Sequence, residues 1–123
     1  MESYKELNVY QLSMDLVVDI YKATDAFPKH ELYGLCSQMR RCAISIPSNI
    51  AEGSSRKNSK EFIQFLYVAN ASLSELETQT EISRRLVYIC NTDSITEKVK
   101  RIRKMLINLI AAINSKLDES RGK

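Results

Sequence analysis

Four stretches of the chain repeat apolar residues every three or four positions, the spacing that places them on one face of an α-helix. Short breaks that carry proline, glycine, asparagine or serine separate these stretches. The pattern predicts helices over about residues 7–26, 31–52, 59–89 and 95–117. Because short connections favour antiparallel neighbours, we expect an all-α, antiparallel up-and-down four-helix bundle. The 123 residues should form one domain.

The second predicted helix contains a proline, which removes one backbone donor and crowds the preceding turn. Two structures are compatible with it: one helix kinked at Pro47, or a helix that ends near Ile46 before a new turn begins at Ser48. The apolar spacing continues through Pro47 without a change of phase, so a single kinked helix is favoured. Gly53 is the expected stop of this helix.

The third predicted helix is apolar over more surface than one packing partner requires. Asn58 and Glu61 have the spacing of an N-terminal capping pair, and a heptad seam runs from Phe62 to Val87. A second apolar set lies on the adjoining arc: Phe65, Val68, Ala71, Ile82, Leu86 and Ile89. We expect this second arc to remain exposed in a single copy.

The fourth predicted helix opens with Ser94 and Glu97, which have the spacing of a capping box. Its seam runs from Ile95 to Leu117, and past Met105 apolar residues spread almost round the helix. Large exposed apolar patches mark interaction sites. The surplus on the third helix and at the end of the fourth therefore predicts self-association.

Composition excludes several classes of protein. Hydrophobic residues make up 44% of the chain and charged residues 27%, as in a folded soluble protein. Three glycines and two prolines are too few for the turns of a many-stranded β-protein. No window approaches the ~18 apolar residues of a membrane span, and no apolar signal segment follows the N-terminus. We expect a cytoplasmic protein that does not contact membranes.

Residues that carry enzymatic or metal chemistry are scarce. The chain has one histidine, His30, and three cysteines without a C-x-x-C pair, which makes a zinc site improbable. The glycines are isolated, so they cannot form a phosphate-binding loop. We therefore expect no enzymatic activity, no metal and no cofactor. Cys36, Cys42 and Cys90 should be reduced and mostly buried.

Basic residues give the more informative signal. The net charge is +3, and residues 56–123 hold 13 basic and 8 acidic side chains. Cations that neutralise phosphates bind nucleic acid without reading its sequence. Eight candidate nucleic-acid-binding residues follow: Arg40 and Arg41 in the second helix, Arg56, Lys57 and Lys60 at the next turn, and Lys98, Arg101 and Lys104 in the fourth helix. The alternative is an ordinary solvated charged surface.

One acidic residue suggests a structural ion pair. Glu75 falls on the second apolar arc of the third helix, where an unpaired carboxylate would be costly to bury. Arg40 and Arg41 are its candidate partners, within one subunit or across an interface. The alternative is a Glu75 that lies exposed at the rim of the arc.

Several segments resemble a known family. They are QMRR at 38–41, SIPSNIAEG at 45–53, FIQFL at 62–66 and SLSELET at 72–78. In order and spacing they resemble the four-helix-bundle family of proteins encoded in intervening sequences of bacterial 23S rRNA, over about residues 9–89. The resemblance implies bundles that assemble into rings of five. It also implies a fold similar to the accessory variability protein of diversity-generating retroelements, a basic pentamer that binds nucleic acid and its reverse transcriptase.

The resemblance assigns roles to individual residues. Pro47, Asn49, Glu52 and Gly53 become structural positions at the kinked helix end, and Glu77 joins Glu75, Arg40 and Arg41 as a candidate for an ion-pair network. The chain is less basic than the accessory protein. We expect a non-enzymatic homopentamer that binds RNA or other nucleic acid weakly through repeated basic patches. The alternative is a scaffold that docks a partner protein without touching nucleic acid.

Overall fold

The computed structural model describes Tyr4 and residues 7–122, and it is all-α throughout this part of the chain. The helices are α1 (Asn8–Thr24), α2 (Leu35–Ser54), α3 (Ser59–Arg85) and α4 (Asp93–Gly122), with a short 3-10 helix at Lys29–Glu31. The predicted all-α four-helix bundle is confirmed.

Helices α2 and α3 run antiparallel. The Ser83 hydroxyl near the end of α3 donates to the Met39 sulfur near the start of α2, at 3.3 Å. At the other end of the bundle, Gly53 of α2 lies against Phe62 of α3. Among the described residues, α1 and α3 each contact both α2 and α4, whereas α2 and α4 do not contact each other. These two helices therefore occupy diagonal corners of the bundle.

All four helices contribute to one hydrophobic core. The predicted stripes supply its fully buried large side chains: Leu16, Ile20, Met39, Ile46, Ile50, Leu66, Leu73, Leu76, Val99, Ile102 and Leu106. Burying an aliphatic side chain of this size stabilises the fold by about 1.5–3 kcal/mol. The heptad seam of α3 is buried from Phe62 through Ser83, as predicted.

The second helix passes through its proline without interruption. It is continuous from Leu35 to Ser54, so the alternative of a helix ending near Ile46 is wrong. The bend at Pro47 stays a prediction from the missing donor and the crowded turn. Gly53 does not end the helix. A Cβ there would lie 2.7 Å from the Phe65 Cβ, so Gly53 allows the close approach of α2 and α3.

The start of α2 differs from the prediction. The helix begins at Leu35, because Lys29–Glu31 forms a separate 3-10 turn before it. The Glu31 carboxylate accepts a hydrogen bond from the Leu35 N–H at 3.2 Å and so takes the place of an N-cap. Leu32, which falls within the predicted helix over residues 31–52, lies in the intervening turn and is half-exposed.

The connection between α3 and α4 also differs. Helix α3 ends at Arg85, and Val87 adopts a left-handed φ of 62° and is exposed, so its place in the predicted seam is wrong.

Of the two predicted N-terminal caps, the Asn58 cap of α3 is confirmed, with a hydrogen bond from Lys60 N–H at 2.8 Å. The predicted Ser94 cap is wrong, because α4 begins at Asp93 and the Ser94 hydroxyl donates to Asp19 on α1.

Relieving the left-handed valine should stabilise the protein. A β-branched residue is strained at positive φ, whereas asparagine visits that region readily. Val87→Asn should raise the free energy of unfolding by about 1 kcal/mol, measured by urea denaturation at fixed protein concentration. The matched control is Val68→Asn, at an exposed position inside α3, which should bring no gain. A lower free energy of unfolding for Val87→Asn than for wild type would contradict this account.

Candidate nucleic-acid interface

The predicted basic residues lie at three separate places on the bundle. Arg40 and Arg41 are near the start of α2, whereas Arg56, Lys57 and Lys60 are at the opposite end, around the α2–α3 turn. Lys98, Arg101 and Lys104 lie on the first half of α4, diagonal to α2. One chain therefore does not gather all eight residues into one surface.

Arg40 is engaged at the end of α1. Its guanidinium pairs with Asp25 at 2.9 Å, and its Nε donates to the Thr24 hydroxyl at 2.8 Å. The same group lies over the Tyr21 ring, 4.6 Å from the ring centroid. These contacts tie α2 to α1, so Arg40 is less available to phosphate than an unpaired cation.

Two other predicted residues are also paired. Lys98 on α4 binds Asp19 on α1 at 2.6 Å, a part-buried contact that joins the two helices. Arg56 pairs with Glu52 one turn before it and lies 5.1 Å from the Phe65 ring centroid. Of the eight predicted residues, Arg40, Arg56 and Lys98 thus already form ion pairs within the described chain.

The outer side of α4 carries cations that remain unpaired. Lys100, Arg101 and Lys104 are exposed, and their spacing places them on one side of the helix. No acidic side chain in the described part of the protein forms an ion pair with them, whereas the neighbouring Arg103 pairs with Glu77 at 3.0 Å. We call these three residues the α4 basic face. The sequence analysis did not include Lys100 among its candidates, although a position one turn before Lys104 places the two side chains on the same side of a helix.

Within the described residues of one chain, Glu75 forms no ion pair with Arg40 or Arg41. Glu75 is exposed on α3, and the Cys42 thiol lies 3.6 Å from its carboxylate. Arg40 pairs with Asp25 instead, and Arg41 makes no ion pair with a described residue. Since Glu75 is exposed, no loss of solvation forces it to find a cation. A pairing across an interface stays a prediction.

A polar groove separates the outer sides of α2 and α3. It has a volume of about 510 Å³ and is lined by Tyr33, Ser37, Gln38, Arg41, Cys42, Ser45, Ser72 and Glu75. We call it the α2–α3 groove. Its volume lies within the range of about 300–1,000 Å³ that holds small ligands.

The thiol in this groove is held in its protonated form at neutral pH. Burial raises the pKa of Cys42 to about 12, and the charge of Glu75 and its hydrogen bond with the thiol act in the same direction.

The one histidine of the sequence, His30, is exposed, with its Nε2 3.4 Å from the Tyr88 hydroxyl. Among the described residues, no three histidine, cysteine or acidic side chains are grouped closely enough to hold a metal ion. None of the helices in this part of the chain is long and apolar enough to span a bilayer.

The exposed apolar side chains lie partly where the sequence predicts them. Of the second apolar arc predicted on the third helix, Val68, Ile82 and Leu86 are 44–50% exposed, whereas Ile89 lies beyond the end of α3 and is buried in the core. On α4, Ile107 is 54% exposed as predicted, whereas Ile113 and Leu117 are partly buried against the core. The sequence analysis missed a second apolar region between α1 and α2, formed by Met14, Val18, Tyr21 and Ile44, which are 39–49% exposed. The spacing of the α1 residues, four and then three positions apart, was the available signal.

The two thiols at Cys42 and Cys90 should differ in reactivity. Burial and the nearby Glu75 raise the pKa of Cys42 to about 12, so this thiol stays protonated at pH 9. Iodoacetamide should therefore alkylate the exposed Cys90 first, as followed by peptide mass spectrometry. Glu75→Gln should speed the reaction at Cys42, because it removes the negative charge that helps to raise the pKa of the thiol. Equal rates at the two cysteines of the folded protein would contradict the assignment.

Comparison with known proteins agrees with this architecture. The family described as 23S rRNA-intervening sequence protein matches residues 5–108, which include α1, α2, α3 and the first half of α4. None of the curated proteins matches the chain. The match extends beyond the segments that carry the resemblance and includes the α4 basic face. The chain belongs to the 23S rRNA-intervening sequence protein family.

Proposed function

We propose that the protein is a non-enzymatic homo-oligomer that binds RNA or another nucleic acid weakly, through basic patches repeated on each copy. The observation that carries the proposal is the α4 basic face. Its three cations have no acidic partner among the described residues, so they can neutralise phosphates and release condensed counterions. A paired cation such as Lys98 would first have to leave its carboxylate.

Exposed apolar surface supports the oligomeric part of the proposal. The α3 arc and the α1–α2 region both present half-exposed aliphatic side chains, and patches of this kind mark interaction surfaces. A subunit number of five is proposed from the family resemblance. A ring would repeat the basic face on every copy, and a strand that reaches two faces gains from their high effective concentration.

The charge of the chain supports weak rather than tight binding. A net charge of +3 gives each copy little long-range attraction for phosphate. Most of the affinity must then come from repetition. A cytoplasmic location is part of the proposal, and the free thiols Cys36, Cys42 and Cys90 suit a reducing compartment.

A protein-interaction scaffold is the second candidate function. The apolar region between α1 and α2 favours it, because Met14, Val18 and Ile44 offer the kind of surface that a partner protein covers. In a scaffold, the α4 basic face would be a solvated surface without a ligand. Nucleic acid would then be absent from the complex.

Removing unpaired cations should change the salt dependence of binding. For single-stranded RNA, the logarithm of the binding constant should fall linearly with the logarithm of salt concentration, by about 0.7 per phosphate contact. The double variant Arg101→Ala, Lys104→Ala should bind more weakly, with a slope reduced by about 0.7 for each phosphate that is no longer neutralised. Fluorescence anisotropy of a labelled strand measures both quantities.

The matched control removes two paired cations. Arg84 and Arg85 are held by Glu81 at 2.8 and 3.0 Å, and their hydrogen bonds, that of Arg84 first, lower the pKa of Glu81 to about 2. Arg84→Ala with Arg85→Ala changes the net charge as much as the test variant but should leave the slope unchanged. Equal slopes in all three proteins would overturn the role of the α4 basic face. No binding by wild type at low salt would favour the scaffold.

A further inference from the structure

The most exposed aromatic side chain lies at the rim of the α2–α3 groove. Tyr33 is 93% exposed, more than any other large hydrophobic side chain of the described protein. An exposed ring offers a face on which any nucleic-acid base can stack. Tyr33 therefore suits a single strand, whose bases are free to turn outward, better than a duplex.

The turn that carries Tyr33 is held in place by its neighbours. One Glu31 oxygen accepts from the Leu35 N–H at 3.2 Å, and the other accepts from the Tyr88 hydroxyl at 3.0 Å. The Tyr88 ring packs on Phe27, with 5.2 Å between the ring centroids. A Cβ at Gly34 would lie 2.7 Å from the Glu31 carboxylate, so glycine leaves room for this arrangement. Because the backbone is already ordered, binding there costs less entropy.

The groove beside Tyr33 combines groups that suit a nucleotide. Arg41 is exposed and forms no ion pair with a described residue, and its guanidinium can bind a phosphate through two parallel hydrogen bonds. Glu75 lines the same groove, and a carboxylate accepts hydrogen bonds from the amino groups of bases. Gln38 adds an amide. A groove with both charges suits one phosphate and the edge of one base.

The polarity of the lining favours this ligand over a protein partner. Serine hydroxyls, an amide, a guanidinium and a carboxylate make up most of the groove. The centre of a protein–protein interface is depleted in charged residues and in serine. We propose that the α2–α3 groove binds one nucleotide of a single-stranded nucleic acid, with Tyr33 stacked on the base and Arg41 on the phosphate. The inference rests on the proposed function and adds to the α4 basic face a second place that holds the strand.

A tryptophan at the stacking position tests the proposal directly. The chain contains no tryptophan, so Tyr33→Trp gives a protein with one such fluorophore per copy. Adding single-stranded RNA to the full-length protein should quench this fluorescence through base stacking. A strand of the same length with abasic sugars keeps its phosphates and should not quench it. The control is Tyr67→Trp, at a half-exposed position of α3 outside the groove, which neither strand should quench.

Affinity measurements complete the test. Tyr33→Ala should weaken RNA binding by about fivefold or more, and Tyr33→Phe should retain it, since stacking is worth roughly 1–3 kcal/mol per base. Unchanged affinity of Tyr33→Ala, or equal quenching of Tyr33→Trp by the abasic strand, would overturn the groove site and leave the proposed function standing. A changed particle mass for Tyr33→Ala would also overturn it, because Tyr33 would then belong to a subunit contact. Absence of RNA binding by wild type at low salt would remove the proposed function itself.

Discussion

The structure depends on one constraint: a four-helix bundle hides one apolar stripe from each helix. The stripes on α1, α2, α3 and α4 meet in a single core. Helices α1 and α3 carry further apolar residues, such as Val18 and Val68, which this packing leaves half-exposed. Covering such surface stabilises an assembly by roughly 25 cal/mol per Å² of apolar area. A second copy of the chain carries the same apolar surface, which is the physical reason to expect association.

The same packing decides which charges remain available. Neighbouring helices bring Asp25 to Arg40, Asp19 to Lys98 and Glu77 to Arg103. These pairs join adjacent helices and take up the cations that face the seams between them. Among the described residues, the cations on the outward side of α4 meet no acid. Cations that pair with an acid on a neighbouring helix are less free to bind phosphate. The surface that can attract phosphate is therefore formed by the unpaired cations alone, and it is smaller than the number of basic residues suggests.

The sequence predicts the helices and the core well, because both follow from local periodicity. The seam from Phe62 to Ser83 is an example, and so is the passage of α2 through Pro47. The errors arise where tertiary contacts override a local signal. Ser94 has the spacing of a cap, but its hydroxyl donates a hydrogen bond to Asp19 instead. Arg40 forms its ion pair with Asp25 at the end of α1.

The candidate sites were harder to predict for the same reason. Residue type identifies a cation such as Arg101, but pairing with an acid depends on which helices become neighbours, and that is fixed only by the fold. The α2–α3 groove brings Tyr33, Arg41 and Glu75 together from three segments of the chain. No spacing along the sequence encodes that meeting. Exposure of Tyr33 likewise depends on the 3-10 turn that replaces the first predicted turn of α2.

The mass of the particle in solution tests the central claim most directly. One chain has a mass of 14.1 kDa. Light scattering coupled to size-exclusion chromatography, at micromolar concentration, should report a multiple of this mass, and five copies for the proposed ring. A particle of a single chain under these conditions would contradict the account, because the exposed apolar surface would then be stable in water without a second copy to cover it.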